Sequence, residues 1–365
     1  MSGLDKIKCK NFNFPQKVSP STTPSSIYYT PSQILTAYGI NQIIPSSNKP
    51  RGYGIKIAII SCYHYSNTQS DLNKYCSKYS LQPLTLNIIN QAGNLSNNNW
   101  AIEVCLNVQI INTISPGATV YVIESKSNTF NDIKTSITTA VNLGVNIISM
   151  SFGTMEFSTQ SSLESLFMNS NITFLASSGD NNIVSYPATS SNVLAIGGTK
   201  LLLTNGNTRQ SETLWGDAGA GTSSYTPKPS YQSGVNSGTK RNIPDLALIA
   251  DTTTGFSVYC SIIGGYIGVG GTSLSCPLMA GYVAILNQCR KSDHKSLLNS
   301  ISTSTYCIQK ILYQNIYTND SLKQCLYDVT SGTDTDYTAG PGYDIASGLG
   351  SIVGDEMYSV FTSLA

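Results

Sequence analysis

Apolar residues along this chain fall into short runs whose period switches between that of a strand and that of a helix. Residues 55–61 (IKIAIIS) form a β-branched run with little polar interruption, the pattern of a strand covered on both faces. Residues 71–80 then show helical spacing, and 84–89 read as a second strand. A helix is predicted from Trp100 to about Ile114, capped by Asn98 or Asn99 and stopped by Ser115, Pro116 and Gly117. Strands are predicted at 118–124 and 145–150 around a helix at 131–143, and a helix at 161–168 leads to strands at 172–176 and 193–196. This alternation predicts an α/β fold, a mostly parallel central sheet with helices on both faces. Functional groups then belong at the carboxyl ends of the strands.

The flanks read differently. Pro15, Pro20 and Pro24, with Ser and Thr between them, mark 1–27 as an extended arm. Thr30, Pro31 and Ser32 read as a helix start, followed by Ile34, Leu35 and Tyr38 at helical spacing. Residues 202–240 are rich in Gly, Ser and Thr and predict loops and short hairpins. A long helix is expected at 272–289, with Pro277 in its first turns, where a missing N–H is tolerated. No internal repeat or linker divides 28–365, so one domain is expected there.

Composition narrows the function classes. Charged residues make up only 11% of the 365, against about 25% in an ordinary globular domain. Lys and Arg number 21 and Asp and Glu 20, so the net charge is +1 and no basic field exists to hold a nucleic acid. So few carboxylates would also suit a protein that works in acid. No apolar run approaches the roughly 18 residues of a membrane span. The N-terminal residues lack the apolar core of a signal peptide, so none is expected, and no compartment is assigned. Nine cysteines without a CxxC pattern argue against a disulfide scaffold or a zinc ribbon. Cys307 and Cys325 are the one pair singled out as able to bridge.

Three segments could carry chemistry. In 270–277 (GGTSLSCP) two glycines allow a tight turn into a helix, with Ser273 at its N-terminus. Backbone N–H groups there can stabilise a developing oxyanion, although the same pattern also serves a plain cap. A serine nucleophile needs a base. His294 lies in a polar segment, and His64 has no Asp or Gly pattern beside it, so neither supports a Ser-His-Asp triad well. Glu103, in the apolar stretch WAIEVCL, would be partly desolvated and raised towards a useful general base. Asn107, four residues on, shares its face. Asp180, in SSGDN, ends a buried strand and is either functional or simple turn chemistry.

These pieces occur in an order that resembles the sedolisin family, the serine-carboxyl peptidases that share the subtilisin fold. The resemblance covers about residues 28 to 354 and runs through IKIAII, Glu103 before SPGA, IISMSFG, SSGD, YPATSSNVLAIGGT, IPDLALIADTTTGF, GGTSLSCP and GPGYDIASGLG. It implies a single peptidase domain, monomeric, acting on polypeptides. Ser273 matches the nucleophile, Glu103 the general base and Asp180 the oxyanion acid. The C-terminal segment resembles the family's one calcium site, with Asp328 and Asp344 as carboxylates and Val329, Gly340 and Gly342 as carbonyl donors. Four departures stand out. Asn107 replaces the Asp that orients the base; Ser61 stands where some members carry Glu; Phe152 stands where Trp is common; and the long prodomain of the family is not seen. The resemblance therefore implies a working peptidase with a retuned base. The alternatives are a catalytically silent peptide-binding homologue, favoured by Asn107, and an enzyme that uses His64.

Overall fold

Residues 28–45 and 48–363 are described by the computed structural model, so the arm expected at 1–27 lies outside the described residues. A first helix, α1 (Pro31–Ala37), begins where expected: the Thr30 side chain accepts from the Gln33 N–H, and Pro31 fills the first turn. The apolar run becomes β1 (Lys56–Cys62), buried in all but its first residue. Ile57 and Ile59 enter one core, and Ala58 and Ile60 the other. Because both faces are covered, the strand shows no polar alternation.

The alternating pattern continues as α2 (Thr68–Tyr79), β2 (Leu86–Asn90), α3 (Asn98–Ile114), β3 (Thr119–Ser125), α4 (Phe130–Asn142) and β4 (Ile147–Met150). After a short β5 (Thr154–Met155) come β6 (Thr173–Ser177), a short β7 (Ser185–Tyr186) and β8 (Leu194–Leu203). The main sheet has the order β12-β8-β6-β4-β1-β3-β2, where β12 is Leu246–Ile249, and all of these pairings are parallel. The antiparallel β9 (Arg209–Leu214) adds to β8. Two hairpins follow the same logic of turn and return: β10 (Gly221–Pro227) with β11 (Lys240–Ile243), and β13 (Phe256–Cys260) with β14 (Gly265–Val269). The last long helix is α5 (Thr272–Ser292).

Core side chains of α4 cover one face of the sheet, and those of α2, α3 and α5 cover the other. Helix α3 is buried at every residue from Trp100 to Ile114, packed among β1, α2, α5 and β13. Such a helix is apolar nearly all round, so its few polar side chains need internal partners.

Several expectations change. The α3 cap is Asn97, whose side chain accepts from the N–H groups of Asn99 and Trp100. The α-helix expected at 161–168 is a three-ten helix over Gln160–Phe167. Its serines compete with the helical backbone, as when Ser162 Oγ donates to the Thr159 carbonyl. The strand read at 193–196 runs on to Leu203. The eight described cysteines are buried in the core, and Cys307 and Cys325, the pair singled out as able to bridge, do not form a disulfide.

Candidate active site

Four chain segments meet at the carboxyl ends of the central strands. Helix α3 supplies Glu103 and Asn107, β4 is followed by Ser151, β6 leads through Gly179 to Asp180, and the first turn of α5 holds Ser273. Glu103, Asn107 and Ser273 are each 2% exposed. Asn107 Nδ2 donates to Glu103 Oε1 at 2.8 Å and to the Glu103 carbonyl at 2.7 Å. Its own Oδ1 accepts from Ser151 Oγ at 2.9 Å. Ser151 in turn meets the Ser273 segment twice: Ser273 Oγ donates to the Ser151 carbonyl at 3.4 Å, and Ser151 Oγ lies 3.2 Å from the Ser273 carbonyl. One buried path therefore joins the Glu103 carboxylate to the Ser273 turn.

Helix α5 contributes the acceptor for that last contact. Pro277 sits four residues after Ser273 and has no N–H to offer its carbonyl. The Ser273 carbonyl thus lacks the usual helical donor, and the Ser151 hydroxyl shares its one proton between this carbonyl and Asn107 Oδ1. Ser151 and this use of Pro277 had no sequence signal beyond the presence of both residues in otherwise apolar segments.

On the other side of Ser273, Asp180 Oδ1 accepts from the Thr272 N–H and the Thr272 hydroxyl, both at 2.9 Å. Gly271 makes this approach possible. Its φ is +94°, a left-handed value, and a Cβ there would lie 2.9 Å from Asp180 Oδ2. The acid is therefore held against the turn that carries the serine. The turn is anchored from behind where the Gly271 N–H donates to the Ala250 carbonyl at 2.6 Å.

Other groups are excluded from the reacting role by their partners. His64 Nδ1 lies 2.6 Å from Glu124 Oε2, and the His64 N–H donates to the Leu95 carbonyl. His294 is exposed. Neither histidine joins the hydrogen-bonded path to Ser273, which weighs against the His64 reading. Burial, chiefly, pushes the Cys276 thiol behind Ser273 up to about 12, so it stays protonated and inert. Phe152 packs on Trp100 with ring centroids 6.2 Å apart and walls the site next to Ser151.

The C-terminal loop draws together the residues expected to bind calcium. Asp328 Oδ2 accepts from the Gly342 N–H at 2.8 Å, and Asp344 Oδ2 from the Gly340 N–H at 3.0 Å. Both carboxylates thus converge on one three-residue loop. Gly342 has φ +79°, and a Cβ added at Gly340 would meet no atom within 4 Å, so open space lies beside the loop. Burial raises the Asp344 carboxyl, with its hydrogen bonds from Gly340 and Ser347 acting the other way. The donors are all oxygen, the set a hard dication takes, so the residues fit calcium.

Comparison with known proteins extends these observations. The model of the subtilase family matches residues 88–340. Kumamolisin from Bacillus sp. (strain MN-32) is 31% identical over 292 residues, covering 69% of this chain and 49% of that protein. Sedolisin from Pseudomonas sp. (strain 101) is 34% identical over 211 residues, covering 49% of this chain and 33% of that protein. The matched region is thus about half, or less, of the length of these curated relatives. Among solved structures, Pseudomonas sedolisin, a serine-carboxyl proteinase complexed with two molecules of pseudo-iodotyrostatin, superposes with a TM-score of 0.79 at 25% identity, over 93% of this chain and 99% of that one. A lanthipeptide protease superposes with a TM-score of 0.56 at 16% identity, over 90% of this chain and 93% of that one, a likeness of fold. No helix among the described residues is long and apolar enough to cross a membrane.

Proposed function

This chain belongs to the subtilase family, within its sedolisin branch, and from that membership we propose that it hydrolyses polypeptides through an acyl-enzyme on Ser273. The observation that carries the reading is the buried path from Glu103 through Asn107 and Ser151 to the nucleophile turn. Ser273 Oγ attacks the substrate carbonyl carbon and its proton passes to Glu103. The carbonyl oxygen becomes an oxyanion. A protonated Asp180 donates to it, and the N-terminus of α5 adds its dipole. With Oδ1 accepting two hydrogen bonds from Thr272, Oδ2 is the oxygen assigned to this donation. Collapse breaks the C–N bond, and Glu103 returns its proton to the leaving amine. Water then attacks the acyl ester with Glu103 as base, releasing the acid and restoring Ser273. The 3.4 Å hydrogen bond of Ser273 Oγ to Ser151 is long and is exchanged for Glu103 when substrate is bound.

The mechanism needs an ionised Glu103 and a protonated Asp180 together, which sets an acid optimum. Asn107 favours the first condition. It donates to the carboxylate and adds no charge of its own. Asn107→Asp should therefore move the acid limb of kcat/KM up by about 1 pH unit, because a second carboxylate disfavours ionisation of Glu103. Hydrolysis of a denatured protein measured from about pH 3 to about pH 8 checks both the activity and this shift. Identical profiles for the two proteins would remove the role given to Asn107. A folded native chain without activity at any pH would instead be the silent peptide-binding homologue.

We also propose one Ca²⁺ held by the carboxylates of Asp328 and Asp344 and the carbonyls of Val329, Gly340 and Gly342, with water completing a shell of about 6–8 oxygens. When bound, the ion supplies structural cross-linking of the C-terminal loop. Calcium at about 100 times its Kd should stabilise the fold by about 2.7 kcal/mol. The check is the unfolding midpoint with calcium and with chelator. It should differ in the native chain and not in Asp328→Ala, and an unresponsive native chain would refute the site.

A further inference from the structure

A second cluster of metal-ligating groups lies away from the proposed catalytic path. Asp71 of α2, Cys105 of α3 and Cys260 at the end of β13 are all fully buried, and their ligand atoms lie within 4.8 Å of one another. Cys105 is two residues past Glu103, so it projects from the far side of α3. Cys105 Sγ is 3.8 Å from Asp71 Oδ2. Tyr65 completes the group, its hydroxyl 2.7 Å from Asp71 Oδ2 and 3.7 Å from Cys260 Sγ. The Ser261 N–H also donates to Asp71 Oδ2, at 2.8 Å.

One feature is unusual for plain core packing. Every described donor to this carboxylate falls on Oδ2, and Asp71 Oδ1 is buried without a hydrogen-bond partner. An unsatisfied buried carboxylate oxygen is costly unless another group meets it.

We propose that Asp71, Cys105 and Cys260 bind one thiophilic divalent cation, of the zinc class, with the Tyr65 hydroxyl at the fourth corner. Two sulfurs and one carboxylate oxygen suit tetrahedral Zn²⁺ and not calcium, which takes oxygen alone. Binding displaces the thiol protons to solvent and leaves the sulfurs as ligands. The ion would clamp α2 to α3, which carries Glu103, and to β13, whose hairpin leads directly into the Gly270–Ser273 turn.

The test uses the full chain, reduced, stripped of metal and kept in excess calcium so that the oxygen site is filled. Cobalt(II) serves as the probe, because a thiolate–cobalt charge-transfer band appears only with sulfur ligation. The expected result is a band saturating at one equivalent and displaced by zinc. It should be lost in Cys105→Ser and in Cys260→Ser and retained in Cys307→Ser. Zinc should also protect Cys105 and Cys260 of the native chain from alkylation, a readout that needs no variant to fold. A folded native chain without the band, or a band surviving both substitutions, would overturn the proposal. So would a Cys105–Cys260 disulfide that forms as readily with zinc as without it.

Discussion

Ser273→Ala should lower kcat on a polypeptide substrate by at least about 10⁴-fold, with the fold intact. The side chain is small and buried, and alanine leaves its hydrogen bond to the Ser151 carbonyl unmade without opening a large cavity. Glu103→Gln should be comparably severe. Glutamine keeps the shape and can still meet Asn107, but it cannot accept the serine proton. Groups that act as one unit are not additive. The Ser273→Ala/Glu103→Gln double variant should therefore be scarcely slower than either single variant. Multiplying losses would mean that the two residues act in separate steps, and an active Glu103→Gln enzyme would return the base to another side chain. Burst kinetics with an activated ester, absent in Ser273→Ala, would report the acyl intermediate directly.

Asp245→Ala should destabilise the protein by about 3–5 kcal/mol. Arg241 and Asp245 are both fully buried. Arg241 Nη1 donates to Asp245 Oδ1 at 3.0 Å, and Nη2 to Oδ2 at 2.8 Å, a two-pronged pair. Asp245 also accepts from the Ala195 N–H and from the Tyr313 hydroxyl, and Arg241 donates to the Tyr231 hydroxyl and the Val193 carbonyl. Burial pulls the Arg241 pKa down, but Asp245 more than offsets this, so the guanidinium stays charged. Removing the carboxylate leaves that charge uncompensated in the core. Replacing both partners, as Arg241→Met/Asp245→Leu, should recover part of the loss, because it removes the uncompensated charge but leaves the Ala195 N–H and the Val193 carbonyl without these partners. Urea unfolding of the native chain and the two variants tests this. Equal loss in the single and double variants would assign the effect to packing rather than to charge.

Much of the scaffold was legible because its signals are local. β1 is a β-branched run long enough to exclude a surface strand, and α3 is bounded by Asn residues and a Ser-Pro-Gly stop. Three successive asparagines could each cap α3, however, and the choice of Asn97 is made by how the preceding loop arrives. β12 was not legible. Its four residues between Asp245 and Asp251 are too few for a period, and only pairing with β8 makes them a strand. The hairpin of β13 and β14 is likewise a product of cross-strand pairing. At the candidate site, Ser273, Glu103 and Asp180 had turn and helix patterns that pointed to them. Ser151 had none, because its place depends on α3 and α5 arriving from distant parts of the chain. Arg241 and Asp245 had none for the same reason.

The proline in α5 has a consequence for how that helix is set in the molecule. A buried apolar helix can often slide or turn against its neighbours at small cost, since one leucine contact resembles the next. Here only one carbonyl near the start of α5 lacks a donor from its own helix, and Ser151 engages that carbonyl. Turning α5 by one residue, about 100°, would offer Ser151 a carbonyl already satisfied within the helix and would bury the vacated one unpaired. The helix is keyed like a shaft in its hub, and the key is cut at the residue proposed as the nucleophile.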